Sequence, residues 1–188
     1  MTDTMLEDVS AYYAAEKTTA LNFVAVGMLS TVGGVAMVTR SNDFSRAFGW
    51  SVLSIGAFEA IGAGFYTFQV GAQRERYSST LARDPAAFKR EESTHIRGTT
   101  SRFVAYRFGE LALAVAGAAV AGYGFAVGRD TWKGAGMGIA LEALTFYTLD
   151  SYGQSRALRY EDRVRHFQPT LGVGGGERAW TIGFRGDL

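Results

Sequence analysis

The sequence predicts an all-α integral membrane protein with four transmembrane helices, arranged as two tandem helical hairpins. Four segments are almost free of charge: residues 21–38, 47–70, 108–127 and 132–149. At about 1.5 Å of rise per residue, runs of roughly 18–24 residues can cross a hydrocarbon core of ~30 Å. A soluble bundle would need charged faces at helical spacing, and these four segments lack them.

The polar N-terminal segment, residues 1–17, precedes the first span and is acidic. A signal peptide begins with basic residues and then turns apolar, so we expect none here. Tyr12 and Tyr13 are expected to anchor the segment at the membrane interface. The whole chain has 188 residues, no cysteine and a formal net charge of +1. It can therefore form no disulfide or thiolate site, and its charge gives no reason to expect a nucleic-acid partner.

The first hairpin is predicted at residues 18–83, with a polar turn at residues 40–46. Its second helix should continue beyond the bilayer, because residues 73–82 remain compatible with a helix. The charged connector, residues 84–107, should begin a new helix, with Asp84 as N-cap and Pro85 in the first turn. We expect this connector to be a solvated cytoplasmic helix.

The second hairpin is predicted at residues 108–168, with a turn at residues 128–133 and a helical extension after the last span. The Gly-rich C-terminal tail, residues 169–188, is expected to be flexible. Within it, residues 179–184 alternate like a short strand, which indicates either a docked hairpin or disorder.

Small residues recur at helical spacing in the first and third spans, where they would let another helix approach closely. They are Gly27, Thr31 and Gly34 in the first span, and Ala114, Gly117, Ala121 and Gly124 in the third.

The two hairpins are interpreted as a parallel internal repeat. Polar markers recur in the same order: Thr18-Thr19 with Thr99-Thr100, and Glu59 with Glu142. A repeat unit that spans the membrane twice would be related to its copy by an axis along the membrane normal.

The distribution of Lys and Arg predicts the orientation. The two short turns hold four of these residues and the rest of the chain holds fifteen. By the positive-inside rule both termini and the connector are cytoplasmic, and we expect a bacterial cytoplasmic membrane. Basic residues just beyond the second and fourth spans should meet anionic lipid head groups; they are Arg74, Arg76, Arg156 and Arg159.

Glu59 and Glu142 are the leading candidates for function, because each lies inside a segment that is otherwise almost free of charge. A charged side chain at that depth costs at least ~2.5–3.5 kcal/mol on insertion scales, so it should face protein or water. We interpret the two as a proton- or cation-binding pair, with Tyr66, Tyr147 and Thr145 as hydrogen-bond partners. The alternative is that two protonated carboxyls only hold the helices together.

Three other residues are weaker candidates. Glu110 lies near the end of its span, three residues after Arg107, where an interfacial pair is the simpler explanation. His95 and His166 each follow an acidic pair by about one helical turn. Two ligands are too few for a metal site, so no metal is expected.

No signature of catalysis is present: the sequence has no Gly-rich phosphate loop, no nucleophile with a base and no HExxH. We therefore expect a non-enzyme without a cofactor. The leading interpretation is a small channel or carrier for protons or cations. The alternative is an accessory or scaffold subunit of a larger membrane complex. We expect a homo-oligomer or partner membrane subunits in either case.

Overall fold

The computed structural model describes residues 2–169, which form four antiparallel helices. They are α1 (Thr2–Val38), α2 (Asp43–Arg83), α3 (Pro85–Ala126) and α4 (Asp130–His166). No strand occurs within this described part of the chain, so the all-α prediction is confirmed. The predicted tail, including the strand-like residues 179–184, lies outside the described residues from position 170 onward.

Three helices, α1, α2 and α3, are long and apolar enough to cross a membrane. Their most apolar 18-residue stretches have mean hydropathies of 1.8, 1.3 and 1.5, and only 11–17% of those stretches is buried within the chain. A soluble bundle would bury its apolar side chains, whereas these face outward, as expected for an integral membrane protein. The crossing predicted for α4 at residues 132–149 stays a prediction.

The helix ends follow local sequence signals. Asn42 caps α2, since its side chain accepts a hydrogen bond of 2.7 Å from the Ser45 N–H. Asp84 caps α3 in the same way, because its side chain accepts hydrogen bonds from the backbone N–H groups of Ala86 and Ala87. Pro85 occupies the first turn of α3. Both features of α3 agree with the prediction. Between α3 and α4 the chain turns at Gly128, whose φ of 67° is a left-handed conformation that favours glycine.

The helices pair as two hairpins, α1 with α2 and α3 with α4, and contacts between α2 and α4 join the hairpins. Glycines set the closest approaches. A Cβ on Gly27 would lie 2.5 Å from the Gly56 carbonyl oxygen, and one on Gly117 would lie 2.6 Å from the Ala140 nitrogen. The predicted small-residue faces of α1 and α3 therefore contact their own hairpin partners.

The chain divides along its length into two halves. The apolar half consists of the four charge-free segments, residues 21–38, 47–70, 108–127 and 132–149. The charged half consists of the helical extensions on the side of the N-terminus, and it has its own core. That core is built from Met5, Val9, Tyr12, Tyr13, Val70, Tyr77, Leu81, Phe88, Ile96, Ala157, Tyr160, Val164 and Phe167.

The N-terminal segment is an integral part of this core. Its buried side chains include Met5, Val9 and Glu16, at spacings of three to four residues that form one helical stripe. Tyr12 and Tyr13 lie on that stripe and are only 7% and 2% exposed. The expectation that these tyrosines sit at the membrane interface is therefore wrong, because the helical period turns them toward α4 and α2.

Candidate functional site

A row of acidic side chains lies inside the bundle, contributed by three helices. On α4, Glu142 and Asp150 are two turns apart on the buried face and are 4% and 7% exposed. Glu59 on α2 and Glu110 on α3 are half-buried and face the same interior. The sequence therefore folds so that four carboxyls from three helices share one polar interior.

Two acids of this row, Glu110 and Asp150, come from neighbouring helices. Their carboxyl groups face each other across the interface between α3 and α4. One carboxyl oxygen of Glu110, Oε2, is buried and has no hydrogen-bond partner within residues 2–169. A carboxylate has no proton to donate, so a hydrogen bond between two carboxyls requires that one of them be protonated.

Arg107 lies one turn before Glu110 and supports the same site. Its Nη1 donates to Gln154 Oε1 at 2.6 Å, and its Nη2 donates to the Tyr147 hydroxyl at 2.5 Å. The guanidinium also lies 4.6 Å from the centre of the Tyr147 ring. Arg107 thus ties α3 to α4 beside the carboxyl pair, which differs from the expected interfacial pairing of Arg107 with Glu110.

The two predicted glutamates lie near each other on the facing helices α2 and α4. Glu59 is within electrostatic range of both Asp150 and Glu142. The Ser30 hydroxyl of α1 lies beside the Glu142 carboxyl, whose Oε2 is buried without a hydrogen-bond partner among residues 2–169. Glu59 and Glu142 therefore lie within electrostatic range of each other, and Asp150 lies within range of Glu59 as well.

The predicted hydrogen-bond partners are engaged elsewhere. Tyr66 donates to Glu16 Oε2 of α1 at 2.9 Å. Tyr147 accepts from Arg107, and Thr145 donates to the carbonyl oxygen of Leu141. None of these bonds reaches Glu59 or Glu142, so the part of Tyr66, Tyr147 and Thr145 in a proton site stays a prediction.

Glu16 extends the acidic row into the charged half. It is only 2% exposed, and its Oε1 is buried with no hydrogen-bond partner in the described part of the chain. Asp150 and Arg156 of α4 both lie within electrostatic range of it. Burial raises the pKa of the Glu16 carboxyl, opposed by the hydrogen bond from Tyr66 and by Arg156.

A second buried acid, Glu92, lies at the centre of the charged half and is 0% exposed. Tyr13 donates to its Oε1 at 2.9 Å, and Tyr160 faces the same carboxyl. Burial raises the pKa of Glu92 to about 7, against the opposing effect of the tyrosine hydroxyls. The connector helix is therefore not solvated all round, since Phe88, Glu92 and Ile96 form a buried face.

The two histidines have no acidic cluster around them. His95 packs against the Tyr77 ring at 5.3 Å, and the neighbouring Glu91 is paired with Arg76 at 2.8 Å. His166 lies 3.3 Å from Asp162 at the end of α4. Among residues 2–169, no three His, Asp or Glu side chains come close enough to hold a metal ion.

A scan against protein-family models and searches of the curated proteins and of the solved structures found no match to this chain.

Proposed function

We propose that this protein binds and releases protons within a membrane, and that the Glu110–Asp150 pair is its primary proton site. The observation that carries the proposal is that two carboxyl groups face each other inside the bundle, where they can share one proton in a hydrogen bond. One proton is needed to hold the pair together, and it can be exchanged only if the helices tolerate the resulting charge. A proton or cation channel, or a carrier, is the class of protein in which such a site is used.

The surroundings of the pair favour holding one proton rather than two or none. Loss of the shared proton would place two negative charges against each other in a medium of low dielectric constant, which is costly. Arg107, beside the pair, offsets one negative charge. A singly protonated pair next to one guanidinium is close to neutral, so it is the state that burial favours.

Glu59 and Glu142 supply further proton positions deeper in the apolar half. Asp150 and Glu142 are eight residues apart on α4, which corresponds to about 12 Å along the helix axis. Glu59 lies within range of both, so it can link them across the α2–α4 interface. We propose that protons pass along this row between the charged half and Ser30.

We also propose that α4 crosses the bilayer, and that both termini lie in the cytoplasm of a bacterial cell. The pairing of α4 with α3 along the hairpin supports a fourth crossing. Cysteines introduced at Ser41 and Thr131 should react with an impermeant thiol reagent from outside intact cells. Cysteines at Ser93 and Ser155 should not, and labelling of Ser93 would overturn the orientation.

The parallel repeat is proposed on the sequence markers. The close glycines, Gly27 and Gly34 in α1 and Gly117 and Gly124 in α3, are seven residues apart in each hairpin. The number of residues that separates each glycine from its counterpart in the other hairpin differs from the number that separates Glu59 from Glu142. Under the repeat, the two hairpins would therefore have diverged in helix register.

The test of the proton site is flux in liposomes that contain the purified full-length protein. A pH-sensitive dye inside the vesicles reports proton entry when a membrane potential is imposed. We expect Asp150→Asn, and the double variant Glu59→Gln with Glu142→Gln, to fold and to lose flux. Glu75→Gln, at an exposed carboxyl, is the control and should keep it. Wild-type flux equal to that of empty vesicles would overturn the proposal.

A second candidate function is that of an accessory subunit. A Cβ added to Gly62 or Gly64 of α2 would meet no atom within 4 Å, and these glycines lie between the exposed side chains of Phe58 and Phe65. Small residues on a lipid-facing surface allow a partner helix to approach closely. Copurification of a partner subunit, lost in Gly62→Leu, would support this function, and a discrete homo-oligomer would favour the first.

A further inference from the structure

An open groove with mixed polar and apolar lining lies between α1 and α4, at the boundary of the apolar and charged halves. It has a volume of about 450 Å³ and is lined by Thr19, Asn22, Leu149, Tyr152, Ser155, Arg156 and Arg159. Residue 21 begins the first apolar segment and residue 149 ends the fourth, so both walls of the groove change from apolar to polar at the same level. A bilayer's head groups lie at such a level.

The groove carries positive charge that the residues of the described part of the chain, 2–169, do not fully offset. Arg159 is exposed and has no ion-pair partner among residues 2–169. Arg156 donates to the Thr19 hydroxyl and to the Ala15 carbonyl oxygen, and its Nε is buried with no hydrogen-bond partner among the described residues. Glu16 is the acid near Arg156, and burial raises the pKa of that carboxyl, which weakens its compensation of the guanidinium.

The remaining lining supplies the other parts of a lipid site. Asn22 and Ser155 present polar groups beside the arginines, while Tyr152 is 67% exposed at the rim. Tyrosine at a membrane surface favours the head-group level, where its ring is apolar and its hydroxyl is hydrated. Leu149 leads from the groove into the apolar half, where Leu21 and Leu144 are exposed along α1 and α4.

We propose that this groove binds one anionic phospholipid, with its phosphate at Arg156 and Arg159 and an acyl chain along the α1–α4 groove. Charge complementarity favours a lipid of net negative charge over a zwitterionic one. Leu149 and the adjoining apolar surface favour a lipid over a soluble phosphate. The inference is independent of the proton site and needs only that α1 and α4 both end at this bilayer surface.

The test is native mass spectrometry of the full-length protein in detergent, titrated with phosphatidylglycerol or phosphatidylcholine. We expect one tightly bound phosphatidylglycerol, and an affinity about fivefold lower in Arg159→Gln. Arg74→Gln is the matched control, because Arg74 is an exposed arginine just beyond the second apolar segment. It should bind as the wild type does. Arg156→Lys keeps the charge and should reduce affinity less than Arg156→Gln.

Three results would overturn the proposal. Equal losses in Arg159→Gln and Arg74→Gln would mean that lipid is attracted to the basic surface in general. Equal binding of phosphatidylcholine would mean that the groove does not select charge. Displacement of phosphatidylglycerol by inorganic phosphate at equal concentration would mean that a soluble anion is the ligand.

Discussion

The carboxyl groups of Glu110 on α3 and Asp150 on α4 face each other inside the bundle, and both residues belong to the second hairpin. The repeat instead predicts a symmetric pair, with one acid from each hairpin. The positions that correspond to Asp150 in the first hairpin, residues 67–69, contain no acid. The site is therefore asymmetric, with Glu59 as the contribution of the first hairpin.

The shared proton should be visible by infrared spectroscopy of the full-length protein in lipid. A protonated carboxyl absorbs at a higher frequency than a carboxylate, so we expect a protonated band at neutral pH. Glu110→Gln and Asp150→Asn should each lose intensity in that band. Either variant retains a hydrogen bond, so the loss of stability should be about 1 kcal/mol. An unchanged band in both variants would contradict the shared proton.

Much of the fold was predictable because it depends on local chemistry. The charge-free segments indicate where the apolar half begins and ends, and Asp84 with Pro85 indicates the start of α3. Gly27 and Gly117 mark the helix faces that approach most closely, since only small residues fit there. These signals need no knowledge of the partner helix.

The acidic row was only half predictable. Asp150 lies one residue past a charge-free segment, so its sequence position alone indicates the start of the solvated extension. Its spacing from Glu142, two helical turns, was the signal that could have placed it on the same face. Glu16 and Glu92 lie in charged segments, and their burial depends on tertiary packing against Tyr13, Tyr66 and Tyr160, which composition does not reveal.

Arg107 is predicted to stabilise the second hairpin. Arg107→Gln should destabilise the protein by roughly 3 kcal/mol or more, because two charge-assisted hydrogen bonds are lost. Arg107→Lys keeps the charge but cannot donate to Gln154 and Tyr147 in the same fork geometry, so it should restore only part of that loss. Thermal unfolding in detergent measures the stability of both Arg107 variants, with Arg74→Gln as the surface control. A lysine variant as stable as the wild type would mean that charge alone matters.

Close packing within the second hairpin gives a further prediction. Leucine in place of Gly117 would force its Cβ to within 2.6 Å of the Ala140 backbone nitrogen, so α3 and α4 must separate. Gly117→Leu should therefore abolish folding or reduce the yield of folded protein sharply. Ala119 is exposed on the opposite face of α3, and Ala119→Leu should be tolerated. Size-exclusion chromatography in detergent compares the two, and equal tolerance would refute this interface.

Glu92 should make the stability of the charged half depend on pH. The carboxyl titrates near 4.5 in the unfolded chain and at about 7 in the folded one, because burial disfavours its charged form. Below pH 4.5 the carboxyl is protonated in both the folded and the unfolded state, so it does not change the free energy of unfolding. As the pH rises toward 7, the unfolded chain ionises freely while the folded chain does not. Stability should therefore fall over this range, by about 3 kcal/mol at most.

Glu92→Gln tests this dependence, because glutamine can accept the hydrogen bond of Tyr13 but cannot ionise. The variant should be more stable than the wild type at pH 8 and similar to it at pH 4. The control is Glu91→Gln, which removes an exposed acid next to Glu92 and should leave the pH dependence unchanged. His95 has a pKa lowered by burial, but it is present in all three proteins, so its effect cancels in the comparison. Near-ultraviolet circular dichroism of the buried tyrosines follows unfolding of the charged half. If wild type and Glu92→Gln lose stability equally between pH 4.5 and 7, Glu92 is ionised in the folded protein and the tyrosines stabilise its charge.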